Sequence, residues 1–205
     1  VYKNMQKIVF SKNIINELDQ LCDEIGADKV FLLTDTTTHQ LCRPLVEQCK
    51  AVINAQDIVI KPTDVNKTLN SLADVWSALS NGKASRRSLL INLGGGMVTD
   101  LGGFAAATFK RGIDFINIPT TLLSMVDAAV GGKTGINFNG YKNEVGVFQE
   151  SRAVIINTDF LRTLDDANLR SGYAEMLKHS LLENADMWAD HLKFNLSQPD
   201  YVHLQ

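Results

Sequence analysis

The stretch Ser88-Leu89-Leu90-Ile91-Asn92-Leu93-Gly94-Gly95-Gly96-Met97-Val98-Thr99-Asp100 decides the fold. Ser88 to Leu93 is too short for a helix and too apolar for a surface strand, so it reads as a strand buried on both faces. It stops at three glycines, and a helix rich in small residues is expected over about Thr99 to Phe109. Working outward, Val30 to Leu33 (ending at Thr34-Asp35), Ile58 to Ile60, and Phe115 to Ile118 (ended by Pro119) read as further strands. Helices separate them. Ser11 can cap one that carries Ile14, Leu18, Leu21 and Ile25 and closes at Gly26. A second is expected over about His39 to Lys50, with Pro44 best tolerated in its first turn. A third carries Leu69, Leu72, Trp76 and Leu79. This alternation implies a parallel sheet covered on both faces, with ligands bound beyond the carboxyl ends of its strands. Asp35, Asp64, the triple glycine and Thr120-Thr121 all follow strands and should share that rim.

From about Phe160 the strand runs stop. Helical spacing continues through Tyr173, Met176, Leu177, Leu181 and Leu182. The expected organisation is an α/β Rossmann-like parallel-sheet domain over 1–160, followed by the start of an α-helical C-terminal domain over 161–205.

Composition sets limits. Of 205 residues, 45% are hydrophobic and 21% charged, as in ordinary globular proteins. The net charge of -3 gives no basic field for nucleic acid or an anionic membrane, so neither is expected as a partner. Cys22, Cys42 and Cys49 form no Cys-x-x-Cys pair and read as small buried residues of a reduced, cytoplasmic protein. No leader peptide or membrane span is read in the sequence.

Four segments carry polar chemistry. In Gly94 to Asp100, glycines after a strand let backbone approach a pyrophosphate, and the helix N-terminus offers free N–H groups. A plain tight turn explains three glycines as well. Asp100, expected in the first helical turn, would either complement the helix dipole or bond a ligand hydroxyl. Asp127 to Asn137 contains Gly131-Gly132-Lys133-Thr134, but Asp127 stands where a P-loop needs its first glycine, so triphosphate hydrolysis is excluded. On composition this segment reads as a solvated, flexible loop. Lys142 and Asn143 follow closely; with Lys133 and Arg111 they place cations at one rim, suited to phosphate or carboxylate. Ser171 to His179 puts Glu175 and Lys178 on one helix face, as a surface ion pair or as a metal-binding carboxylate beside a ligand-binding ammonium. His179 should point partly elsewhere, and His191 and His203 sit at no recognised metal spacing.

Taken in order, Gly94 to Asp100, Pro119-Thr120-Thr121-Leu122-Leu123, Gly131 to Asn137, Lys142-Asn143 and Ala174-Glu175-Met176-Leu177-Lys178 resemble the 3-dehydroquinate synthases over most of Asp35 to Lys178. The resemblance implies a Rossmann-like domain, a helical domain and an active site between them. It implies NAD held by Asp35, Pro62, Asp64, Lys67, Gly94, Gly95, Gly96, Met97, Val98, Thr99, Asp100, Thr120, Thr121, Lys133, Lys142, Phe160, Leu161, Arg162 and Thr163. Asp64 stands where the family more often has Glu. Glu175 would ligate a divalent metal, zinc or cobalt. Arg111, Asp127, Lys133, Asn143 and Lys178 would hold the substrate, the phosphorylated sugar acid 3-deoxy-D-arabino-heptulosonate 7-phosphate. A homodimer is expected. The family's other metal ligands are histidines further downstream, so these 205 residues alone are expected to be inactive. The competing implications are a sister sugar-phosphate cyclase, a glycerol dehydrogenase-like enzyme performing net oxidation, and a cofactor-binding module without catalysis. The Lys133, Lys142, Asn143 and Lys178 set suits a phosphorylated acid better than a neutral polyol.

Overall fold

The structure is a computed structural model and describes residues 6–202 and Leu204. His203 and residues 1–5 of the N-terminal stretch lie outside the described residues. Eight strands are described: β1 (Lys7–Phe10), β2 (Val30–Asp35), β3 (Gln56–Ile60), β4 (Leu89–Gly94), β5 (Asp114–Pro119), β6 (Lys133–Phe138), β7 (Tyr141–Phe148) and β8 (Ala153–Ile156). The helices are α1 (Ile14–Ile25), α2 (Thr36–Leu41), α3 (Lys50–Ile53), α4 (Leu69–Asn81), α5 (Gly96–Thr108), α6 (Asp166–Glu183) and α7 (Ala185–His191). Six strands form one parallel sheet in the order β1-β8-β5-β4-β2-β3. The α/β Rossmann-like expectation therefore holds.

The central strands are apolar because both faces are covered. Every residue of β4 and β8 is buried, and Leu32, Leu33, Ile91, Leu93 and Ile116 are fully enclosed. Each such side chain contributes about 1.5–3 kcal/mol over its exposed state. From β2 the chain moves outward to β3, whereas from β4 it moves the other way to β5. The crevice between β2 and β4 is thus the topological switch point, where parallel sheets open a ligand site.

Several expectations are corrected. Asn13, not Ser11, caps α1, its side chain accepting from the Asn16 N–H. Ser11 is buried at the end of β1, where its N–H donates to the Ile156 carbonyl at 2.7 Å. The single helix expected over His39 to Lys50 is three pieces: α2, a 3-10 turn at Arg43–Val46 and α3. Pro44 lies at the start of that 3-10 turn, where its missing N–H costs nothing. Helix α5 begins at Gly96, so Asp100 stands in the second turn and its carboxylate does not meet the helix terminus. Strands β1 and β8, four residues each, carry no period long enough to separate strand from helix in the sequence.

The largest correction concerns residues 131–148. The second half of the loop expected over Asp127 to Asn137 is β6, which pairs with β7 as an antiparallel hairpin packed beside α5. Phe138 pairs with Tyr141 across Asn139-Gly140, whose φ values of 50° and 84° are those of a type I′ turn. The register slips between Ile136 and Phe138, and Asn143 takes φ 53° in the resulting bulge. Cys42 and Cys49 are buried as expected, whereas Cys22 is only half-buried. Burial, aided by the Asp19 carboxylate, pushes Cys22 and Cys49 up to about 12.

Helix α6 packs against the turn after β5 through Gly172. A Cβ there would lie 2.5 Å from Leu122 Cβ and 2.6 Å from the Leu123 backbone nitrogen. Ala in place of a helical Gly gains up to about 1 kcal/mol of helix propensity, but a clash with backbone costs about 1–3 kcal/mol. Gly172→Ala should therefore lower stability by roughly 1 kcal/mol, measured by urea denaturation; an unchanged or higher midpoint would contradict this seating of α6.

Candidate functional site

Five strand ends and the hairpin meet at the carboxyl edge of the sheet around a cavity of about 540 Å³. Asp35 ends β2. Its carboxylate caps α2, accepting from the Thr37 and Thr38 N–H groups at 2.8 Å, while Thr38 Oγ1 accepts from the Asp35 N–H at 3.0 Å. Pro62, Thr63 and Asp64 follow β3, and Thr63 takes φ 74°. Gly95 and Gly96 open α5 without a side-chain cap, which leaves backbone N–H groups of the first turn facing the cavity. Thr120 and Thr121 follow β5, Thr163 follows β8, and Lys142 reaches in from the hairpin.

Of the residues expected at a cofactor, the structure brings together Asp35, Pro62, Asp64, Lys67, Gly95, Gly96, Met97, Asp100, Thr120, Thr121, Lys142 and Thr163. Gly94, Val98 and Thr99 are buried behind them, and the Thr99 hydroxyl bonds back to the Gly96 carbonyl at 3.2 Å. Phe160 and Leu161 lie in the core. Arg162 pairs with Asp159 at 3.3 Å and lies over the Tyr201 ring.

A second cavity of about 470 Å³ adjoins the first and shares Asp100 and Ala128 with it. Asp127, Lys133, Asn143 and Glu144 line it. Asp127 sits on a π-helical turn, Ser124–Ala128, in which the Ala129 N–H donates to the Ser124 carbonyl five residues back at 3.0 Å. Such turns redirect side chains and recur at functional sites. Lys133 Nζ lies 3.7 Å from Asp127 Oδ1.

Lys67 is 3% exposed. Its ammonium donates to Asp100 Oδ2 at 2.9 Å and to Asn143 Oδ1, and lies 3.6 Å from Asp64 Oδ1. Asp64 also pairs with Lys142 Nζ at 2.9 Å and accepts from Asn137 Nδ2. Burial alone would raise the Asp64 carboxyl, but the Lys142 bond, the Lys67 charge and Asn137 outweigh it and hold it below the usual value. For Asp100 the balance tips the other way: burial, with Asp64 and Asp127 nearby, overrides Lys67 and raises it.

Asp127, which lines the second cavity, Glu175 and His179 each present a ligand atom, all within 4.8 Å of one another. His179 Nε2 is 3.3 Å from Glu175 Oε1, and Lys178 donates to the same oxygen. The expectation that His179 points elsewhere is therefore corrected: four residues on, it shares the Glu175 face. That spacing is the signal that could have found it. Asn137 was also missed as a site residue. Its N–H donates to the Lys67 carbonyl at 2.8 Å and its Nδ2 to the Asp64 carbonyl at 2.8 Å, tying the hairpin to the sheet.

Arg111 is not brought to the site. It follows α5, which returns to the amino edge of the sheet, and it precedes β5. Of the expected cations, Lys133 and Lys142 line the cavities, and Lys67 joins them there. Asp64, held below the ordinary carboxylate value in the folded protein, binds fewer protons folded than unfolded, so its stabilising contribution is present above that ordinary value and lost as pH falls through the folded pKa. Its side chain is 40% exposed, which keeps the effect small. The stability gap between wild type and Asp64→Asn should narrow from about pH 5 to about pH 3; a gap constant with pH would refute this sign.

The sequence of residues 57–171 matches the family model for the 3-dehydroquinate synthase N-terminal region. The chain is 54% identical over 199 residues to a 3-dehydroquinate synthase of Parabacteroides distasonis, covering 97% of this chain and 56% of that protein. It is 42% identical over 154 residues to one of Clostridium tetani, covering 75% of this chain and 41% of that protein. The chain thus spans about half the length of the curated relatives it matches. Among solved structures, 2-epi-5-epi-valiolone synthase from Streptomyces hygroscopicus, determined with NAD+ and Zn2+ bound, superposes with TM-score 0.77 at 30% identity, covering 87% of this chain and 50% of that one. A 2-deoxy-scyllo-inosose synthase shares the fold with TM-score 0.82 at 21% identity, covering 96% and 56%. A matching family model over more than half the chain, on a fold whose strand ends converge on one paired cavity, establishes that this chain belongs to the 3-dehydroquinate synthase family.

Proposed function

We propose that this chain is the cofactor-binding part of an enzyme that converts 3-deoxy-D-arabino-heptulosonate 7-phosphate to 3-dehydroquinate and phosphate. The observation that carries the reading is the pair of adjoining cavities with Asp100 on both. A cofactor in the first would present its reactive end at the boundary of the second. NAD supplies reversible hydride removal, and a divalent metal polarises the hydroxyl being oxidised.

The chain's own residues account for the rest. The uncapped N-terminus of α5 offers N–H groups and a partial positive charge to a pyrophosphate. Asp35 and Asp64 accept from hydroxyls, and Thr120 and Thr121 line the opposite wall. Lys133 and Asn143 face the second cavity, where an ammonium and an amide meet phosphate, carboxylate or hydroxyl oxygens. The Lys133 charge and the Asn143 amide dipole favour the carbanion-like states of phosphate elimination. Glu175 is the proposed metal ligand, and Asp127 and His179 are the donors that converge on it. An oxygen and nitrogen set of this kind fits zinc or cobalt. Lys178, beside Glu175, anchors the substrate across the cleft. Residues 161–205 are read as the entry of a helical domain, consistent with Leu181 and Leu182 standing 67% and 77% exposed on α6. We place the enzyme in a homodimer in the cytoplasm; among the described residues no helix is long and apolar enough to cross a membrane.

Calorimetric titration of the chain with NAD should give one site per chain, and the full-length protein should release phosphate from the heptulosonate phosphate. Lys178→Ala in that protein should lower turnover by about a hundredfold or more while leaving NAD affinity nearly unchanged. Equal loss of both would remove Lys178 from the substrate site, and absence of NAD binding would overturn the reading as a whole.

A further inference from the structure

The Lys67 ammonium spans the boundary between the two cavities. Lys67 lines the first, Asn143 the second, and Asp100 both. One nitrogen atom contacts an oxygen of each partner. Asn143 is held from two sides: Asn137 Oδ1 accepts its main-chain N–H at 3.0 Å, and its side-chain oxygen accepts from Lys67. Its φ of 53° is one that asparagine tolerates but does not prefer, so these bonds maintain the bulge. An ammonium that is 3% exposed has no water to compensate a lost partner. Whatever moves the Asp100 carboxylate therefore changes the bond to Asn143.

We propose that Lys67 is a positioning residue that couples the cavities. A ligand with hydroxyl donors for Asp100 in the first cavity sets the orientation of the Asn143 amide in the second. Coupling of this kind is reciprocal, so a ligand against Asn143 tightens the first site by the same factor. The identity of the ligands, NAD and a phosphorylated sugar acid, rests on the function proposed above; the Lys67 to Asn143 linkage does not.

The test uses the full-length protein, with hydrogen exchange read by mass spectrometry over residues 141–148. Without ligand, Lys67→Met should speed exchange at 142–145 several-fold relative to the other hairpin amides, and Lys67→Arg should restore part of the protection. Equal exchange in wild type and Lys67→Met overturns the proposal. With NAD, wild type should gain protection at 142–145 and Lys67→Met should not; protection that survives the substitution also overturns it. In phosphate release, Lys67→Met should raise KM by more than about tenfold, the scale of a lost charge-assisted hydrogen bond, with a smaller change in kcat. Asn143→Ala added to Lys67→Met should raise it no further, whereas multiplied effects would show two independent residues. Should Lys67→Met fail to fold, Asn143→Asp keeps Lys67 in place. Its carboxylate competes for the ammonium and should shift NAD affinity several-fold, although Asn143 does not line that cavity; unchanged affinity counts against coupling. A wild type that releases no phosphate sinks the proposed reaction, yet the ligand-free exchange still decides the linkage.

Discussion

Removing an ammonium from water costs several kcal/mol unless paired charge and hydrogen bonds replace its hydration. At Lys67 that replacement comes from three elements: Asp64 after β3, Asp100 on α5 and Asn143 on the β6–β7 hairpin. The buried cation fixes the distance between the sheet edge, the helix and the hairpin. Its main-chain carbonyl adds a further tie by accepting the Asn137 N–H. The site depends on this arrangement because the two cavities meet where these three elements meet.

The surrounding carboxyls show how one cation serves unequal partners. Asp64 is partly exposed and has a second cation, Lys142, so its ionised form is favoured. Asp100 is more deeply enclosed and faces Asp64 and Asp127 as well as Lys67, so its neutral form gains ground. Two carboxyls on one ammonium are thereby driven in opposite directions, by burial in one case and by bonding in the other. A helix-dipole role for Asp100 would need it in the first turn, and it stands one turn too far along α5.

Most of the sheet was legible because burial on both faces leaves a largely apolar run at β2, β4 and β5, interrupted only by Asn92 and Asn117 in the latter two and punctuated by Asp35, the triple glycine and Pro119. The rim residues were legible for the same reason: parallel strands put all their carboxyl ends on one edge. The hairpin was not. Its β7 is exposed at all eight positions, so no hydrophobic alternation marks it, and the Gly131-Gly132 pair before β6 reads as loop. Asn139-Gly140 was the available turn signal, since both positions adopt positive φ. Asn137 and Lys67 acquire their importance only through a contact between segments 70 residues apart, which no local pattern carries. The Arg111 placement failed for a topological reason. Proximity in sequence to Lys133 ignored that one full strand, β5, separates them and carries the chain from one edge of the sheet to the other.

The Asp127, Glu175 and His179 group illustrates how backbone geometry, more than residue type, brings side chains together. Asp127 would continue an ordinary helical path from Leu122 were it not for the π turn, which widens the helix by one residue at Ser124–Ala128. Glu175 and His179 are one turn apart on α6, a spacing found on countless surface helices. They become a donor set only because Gly172, one turn earlier, lets α6 lie against the backbone of Leu122 and Leu123. A side chain at Gly172 would push α6 away from the strand-β5 turn and separate Glu175 from Asp127. The convergence of three ligand atoms within 4.8 Å thus rests on an absent Cβ and one inserted residue. Lys178 and Lys133 balance the carboxylates of that group from either side, so a divalent cation entering there would exchange two ammonium contacts for its own coordination, with Asp127 and Glu175 already facing one another across the cleft.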